Sequence, residues 1–203
     1  MSKNYAAPLG SLTHGRLQFT RGAANVTLRV DSSMEDLYHA RFDGLLPEVH
    51  AQNGTVTVRY PRTFHPFDWR KRSAEVTLNA AIPWQIEFHR GLSWLDADLS
   101  SLRLGSFEIA GGVSGVELAL PRPSGTVPVR VSGGASEVSI HRPKGVAARL
   151  SVGRGASRLA FDEQRFGAIG GETRLQTGDY EDATDRYDVE VTGGASKLTV
   201  DSR

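Results

Sequence analysis

Asp96 and Glu117 occupy the same outward phase in two neighbouring copies of a short repeat, Arg90-GLSWLDADL-Ser100 and Gly111-GVSGVELA-Leu120. Adjacent strands lie about 4.8 Å apart, and a retaining glycoside hydrolase needs two carboxyl groups about 5 Å apart. The pair therefore suits an acid and a nucleophile. It equally suits a solvated face, since Thr77 and Ser139 share the column and no aromatic platform follows.

Other residue sets point to weaker chemistry. The histidines (His14, His39, His50, His65, His89, His141) fall at different phases and lack the HxH or HExxH spacing of a metal site. No metal or other cofactor is expected. Ser93, Ser114 and Ser136 have no nucleophile-elbow context and read as a stack of structural hydroxyls.

Two segments break the repeat. In the first, Arg59, Tyr60, Arg62, His65, Trp69, Arg70 and Arg72 interleave cations with rings. That pattern suits an anionic lipid or glycan partner through charge and stacking, and alternatively a closing wall with solvated cations. The second, Gly178-DYEDATDRYDV-Glu190, has acids spaced somewhat as in a calcium loop, but lacks the turn glycine and the closing glutamate. It reads as an exposed linker able to meet Arg62 or Arg70 of another molecule.

The 24 basic and 23 acidic residues nearly cancel, giving no global field for nucleic acid. There is no cysteine, so disulfides and thiolate metal sites are excluded. No signal-peptide core and no run of about 20 apolar residues occurs. A cytoplasmic location with peripheral envelope association is the expectation.

What must position these side chains is the repeat itself. Its copies are Arg21-GAANVTL-Arg29, the two quoted above, Gly133-GASEVS-Ile140, Arg154-GASRLA-Phe161 and Gly193-GASKLT-Val200. Aligned, Ala23, Leu92, Val113, Ala135, Ala156 and Ala195 form one column. Degenerate copies at Asn53-GTVTV-Arg59, Ser73-AEVTL-Asn79 and Gly170-GETRL-Gln176 bring the total to about eight or nine units of about 20 residues.

Two apolar columns follow at period two, Val26, Val56, Val76, Leu95, Val116, Val138, Leu159, Leu198 and then Leu28, Val58, Leu78, Ala97, Leu118, Ile140, Phe161, Val200. This is the face of a strand rather than a helix. The inward position two before the first apolar column is small in every copy, as at Ser136 and Ser196, and reads as a tight corner with glycines supplying the close approach. Only Ser32-SMEDLYH-Ala40 offers a short helical turn, with Ser33 as N-cap.

On the recurring GGAS-x-[VL]-x-[VLIF] phrases, the chain resembles the "putative-adhesin" or toast-rack β-solenoid domains of bacteria, as in Lia-type envelope-stress proteins. The likeness covers roughly residues 20–203. It implies a β-solenoid, no agreed catalytic residues, and a role in interaction or sensing at the envelope. The chain lacks the membrane segment or DNA-binding helices that can accompany such domains.

The expected architecture is an all-β, single-domain β-solenoid over residues 21–203, with residues 1–20 as an N-terminal cap in which Leu12, Leu17 and Phe19 cover the first rung. Solenoid ends need covers. Lys197-LTV-Asp201 is a full repeat strand with none in sight, so Leu198 and Val200 mark a candidate self-association edge giving an end-to-end dimer. The leading functional expectation is a non-enzymatic interaction or scaffold module with a protein partner or itself. The alternatives are a domain binding an anionic lipid or glycan, and a carbohydrate-active enzyme using Asp96 and Glu117.

Overall fold

Alternation of Val, Leu and Ile with polar residues gives each copy one apolar face, which a second sheet must cover. The computed structural model describes residues 2–61 and 73–203, with nineteen strands and no helix among them. The segment expected to make a helical turn instead enters a strand at Asp36.

Fourteen strands form seven rungs among the described residues, each a strand of a nine-stranded sheet followed along the chain by one of a ten-stranded sheet. The first rungs are β2 (Gly15–Phe19) with β3 (Ala23–Asp31), β6 (Thr55–Arg59) with β7 (Ser73–Asn79), and β8 (Pro83–Phe88) with β9 (Leu92–Asp98). Then come β10 (Arg103–Ile109) with β11 (Val116–Ala119), β12 (Thr126–Val131) with β13 (Ala135–Arg142), and β14 (Ala147–Val152) with β15 (Ala156–Phe161). The last is β18 (Arg186–Val191) with β19 (Ala195–Ser202).

Neighbouring rungs pair in parallel, whereas five further strands run antiparallel and cover the ends. These are β1 (Ser2–Pro8), β4 (Asp36–Asp43) and β5 (Glu48–Gln52) at one end, and β16 (Gln164–Ile169) and β17 (Thr173–Gln176) at the other. Both sheets are therefore mixed.

Order in space departs from order in the chain. β19 lies between β13 and β15, and β18 between β12 and β14. At the opposite end β3 lies between β7 and β9, and β2 between β6 and β8. Three expectations are corrected. Seven rungs with antiparallel covers replace eight or nine coils. Residues 1–20 do more than cap, because Leu17 and Phe19 in β2 are fully buried between neighbours. Leu198 and Val200 are fully buried in a strand paired on both sides, so they present no free edge.

The principal column survives as a physical ladder. Ala23 pairs with Leu92, Leu92 with Val113, Val113 with Ala135, and Ala195 with both Ala135 and Ala156. Two degenerate copies sit elsewhere than their alignment predicts. Val56 pairs with Leu17 in the other sheet, and Val76 faces Leu28 rather than Val26, an even shift that keeps the apolar face inward. Gly170-GETRL-Gln176 supplies the antiparallel β17 rather than a rung.

The serine column is also corrected, for it faces outward. Glu137, Arg158 and Lys197 adopt left-handed backbone with φ of 55°, 54° and 51°. Each interrupts the alternation, so Ser136 and Glu137 both face out between buried Ala135 and Val138. Glycine is needed nearby for close approach. A Cβ at Gly193 would sit 2.5 Å from the Gly133 carbonyl oxygen, and one at Gly133 would sit 2.6 Å from the Gly111 carbonyl carbon.

The inward rows of both sheets meet in one buried cluster. Within it Phe19 stacks on Phe88 at 4.9 Å between centroids, and Phe88 tilts against Phe107 at 6.0 Å. No rung could bury its own inner face alone, so stability accumulates between neighbours.

Candidate functional site

The carboxylates of interest stand on the outer face of the ten-stranded sheet. Glu117 of β11 pairs in register with Asp96 of β9 and with Ser139 of β13. Two residues further along, Asp98, Ala119, His141 and Asp201 form the next outward column. Ala119 contributes only a methyl group between Asp98 and His141, and the imidazole reaches diagonally back to Glu117.

His141 is the centre of the arrangement. Its Nε2 lies 2.7 Å from Glu117 Oε1 and its Nδ1 lies 2.5 Å from Asp201 Oδ1. The ring is 7% exposed, while Glu117 remains half exposed. Arg203 approaches both carboxylates, at 3.8 Å from Glu117 and 3.6 Å from Asp201. A ring nitrogen donates only where it carries a proton, and each nitrogen of this ring faces a carboxylate oxygen.

Asp96 has a separate partner. Arg29 donates to its two oxygens at 3.1 and 2.7 Å, and also to the Asp96 and Leu28 carbonyls. The hydrogen bond to Asp96 raises the Arg29 pKa. Asp98 accepts from the Ser100 hydroxyl at 2.7 Å and its amide at 3.1 Å, and these bonds hold its carboxyl below the usual range. A shallow cavity of about 350 Å³ lies among Asp96, Asp98, Glu117, His141 and Arg203.

Chemically, the arrangement gives each candidate acid its own basic partner, Arg29 for Asp96 and His141 for Glu117, rather than setting both about a substrate. A glycosidase acid must carry a transferable proton towards the leaving group, and here Glu117 points at an imidazole. Nor do Glu117, His141 and Asp201 form a metal site, because the carboxylates contact opposite ring nitrogens. Among the described residues no group of three or more His, Asp or Glu could hold a metal ion.

The other expected sites resolve as follows. Arg59 is exposed and pairs in register with Glu48, while Tyr60 is buried edge-on to Phe42 at 6.5 Å. Arg62, His65, Trp69, Arg70 and Arg72 lie outside the described residues. The acidic segment is tied to its own chain. Asp185 accepts from the Gly125 amide at 2.6 Å, and Asp188 meets Arg149 at 3.0 Å. The guanidinium groups of Arg149 and Arg186 lie over the Tyr180 ring at 4.6 and 4.7 Å from its centroid, and burial pushes the Tyr180 hydroxyl pKa up.

Sequence reasoning missed His141, Asp201 and Trp94. Placing β19 beside β13 would have set His141 opposite Asp201, but chain order put β15 there. Trp94 is 51% exposed, the one large apolar side chain so exposed among the described residues. Its signal was Gly115, just before the next strand, where a Cβ would fall 2.4 Å from the indole Cε3.

Comparison with known proteins decides the family. Residues 3–141, more than half of the chain, match the family described as "N-terminal domain of toast_rack, DUF2154". The chain belongs to the toast-rack family. This toast-rack chain is similar to a solved structure named "putative cell adhesion protein from Clostridium sporogenes ATCC 15579", with a TM-score of 0.70 and 17% identity. The match covers 100% of the toast-rack chain and 99% of that chain. At that identity the likeness is one of fold. A looser likeness, TM-score 0.40 at 8% identity, is to a "putative adhesin (BF0245) from Bacteroides fragilis NCTC 9343", covering 100% of this chain and 96% of that one. No curated protein matches.

Proposed function

We propose that this chain is a non-enzymatic interaction module that works through the outer faces of its sheets, towards a protein partner at the bacterial envelope. The observation that carries the reading is the state of the acid pair. Asp96 is held by Arg29 and Glu117 by His141, so the residues best suited to catalysis are engaged in cross-strand pairing. The most repeated residues, the glycines and small side chains, are accounted for by packing. The cell-adhesion name of the Clostridium sporogenes neighbour supports the same reading.

Trp94 is the contact residue the reading favours. Exposed tryptophan is enriched where protein interfaces concentrate their binding energy, and here the outward ring lies one strand from Glu117. The test is retention of the purified chain on immobilised envelope fragments, with and without prior protease treatment of the fragments. Retention that depends on intact fragment protein and falls at least tenfold with Trp94→Ala is expected, with no release of reducing sugar. Sugar release from any polysaccharide, abolished by Asp96→Asn, would overturn the reading.

A further inference from the structure

The β18–β19 rung enters a slot whose walls are made by earlier parts of the chain. β12 and β14 meet β18 in the same register, Thr126 and Ala147 both facing Arg186. β13 and β15 meet β19 likewise, Ala135 and Ala156 both facing Ala195. Apolar therefore faces apolar all along both walls. Val138 and Leu159 flank Leu198, and Ile140 and Phe161 flank Val200.

The width of the slot is set by groups outside the inserted rung. Arg142, at the end of one wall, forms a bidentate pair with Asp162, just past the other, at 2.9 and 2.7 Å. The Arg142 side chain is 3% exposed and its Nε also donates to the Val146 carbonyl at 2.8 Å. The short connection through Pro143–Val146 joins the same two walls. Two strand spacings, about 9.6 Å, are thereby spanned by a buried ion pair and a covalent link, neither belonging to β18 or β19.

The slot is selective for the repeat phrase. A Cβ at Gly193 would strike the Gly133 backbone, so the incoming rung needs glycine there. The rung is joined to the rest through residues 177–185, which are mostly exposed and held by Tyr180, by Thr177 bonded to Ala148 and by Asp185 accepting from the Gly125 amide.

We propose that this slot also accepts the β18–β19 rung of a second copy, giving a dimer in which residues 186–203 are exchanged. The exchanged rung makes the contacts it makes within one chain, so the two arrangements differ mainly in the path of residues 177–185. The partner is a second copy because its rung carries the required Gly193 phrase, the apolar row and Asp201 opposite His141. This goes beyond the interaction-module reading and does not depend on it. It also differs from edge-to-edge stacking, which the paired β19 forbids.

The chain has no cysteine, so introduced thiols report without background. Full-length Ser136→Cys and Ser196→Cys copies, carrying different tags, are unfolded together, refolded as a mixture and oxidised. Ser136 and Ser196 are register partners, within the span a disulfide needs. A mixed disulfide-linked dimer is expected, at least fivefold above that from Ser136→Cys with the out-of-register Thr199→Cys. Equal yields from the two pairings overturn the proposal. Light scattering gives a second arm. Wild-type protein refolded at rising concentration should show a growing dimer fraction. The double variant Ser136→Cys/Ser196→Cys, oxidised within one folded chain beforehand, should stay monomeric. Wild type that refolds as monomer at every concentration overturns the proposal as well.

Discussion

His141 Nδ1 stands 2.5 Å from Asp201 Oδ1, so a nearly buried ring on β13 fastens β19, a strand whose register partner lies 60 residues along the chain. The same ring holds Glu117 of β11 through its other nitrogen. One side chain thus ties three adjacent strands of the ten-stranded sheet. Replacing it by alanine leaves two carboxylates with Arg203 as their shared cation. His141→Ala should lower unfolding free energy by about 1–3 kcal/mol, read from urea denaturation. A change below about 0.5 kcal/mol would show the contacts to be incidental.

The Arg142–Asp162 pair offers a harsher test. Asp162→Asn keeps the size and tolerates the left-handed φ of 50°, but leaves the buried guanidinium without its counter-charge, beside the Val146 carbonyl and the Phe161 ring. Breaking one side of a buried pair costs about 3 kcal/mol or more. Arg142→Met, which removes the charge altogether, should cost less than Asp162→Asn. The reverse order, measured by chemical denaturation, would contradict the account of the slot walls.

Glycine replacements should separate sharply by position. Gly193→Ala forces a Cβ against a backbone oxygen, which cannot rotate away, and overpacking of this kind costs about 1–3 kcal/mol. Gly167→Ala meets nothing within 4 Å and has no left-handed φ, so it should be neutral or slightly stabilising. Thermal melts of the two variants give the comparison directly.

Acid sensitivity follows from Asp98. The Ser100 hydroxyl and amide hold its folded pKa below the usual value. Its contribution to stability is therefore complete above the unfolded pKa of about 3.9 and is lost as pH falls through the depressed folded value. Ser100→Ala removes the larger hydrogen bond. The Asp98 carboxyl resonance should then titrate at higher pH, and the loss of stability between about pH 4 and pH 2 should shrink. An unmoved titration would show that the amide alone sets the shift.

Much of the architecture was legible because register is a local property. A strand with one buried face tolerates no one-residue slip, so the column through Ala23, Leu92, Val113, Ala135, Ala156 and Ala195 could be aligned from spacing and proved to be one ladder. The left-handed residues at 137, 158 and 197 were not legible, since Glu, Arg and Lys carry no mark of that conformation. The serines consequently read as inward when they face out. The candidate acids were found, but their partners were not. Arg29 lies 67 positions from Asp96, and His141 meets Glu117 across a diagonal that a column alignment does not join.

The alternation of apolar and polar residues established that the chain is all-β and, along the principal column, which residues face the core and how the rungs align. Tertiary structure alone decided which rungs are neighbours. The reason is a degeneracy in the repeat. Most rungs, β13, β15 and β19 among them, present nearly the same apolar row and glycine corner, so β13 would accept β15 as readily as β19. The choice falls to contacts the repeat does not encode, the Arg142–Asp162 pair, the His141 bridge to Asp201 and the antiparallel covers at each end. Those contacts placed β19 inside the stack, where its alternation alone had suggested an open edge.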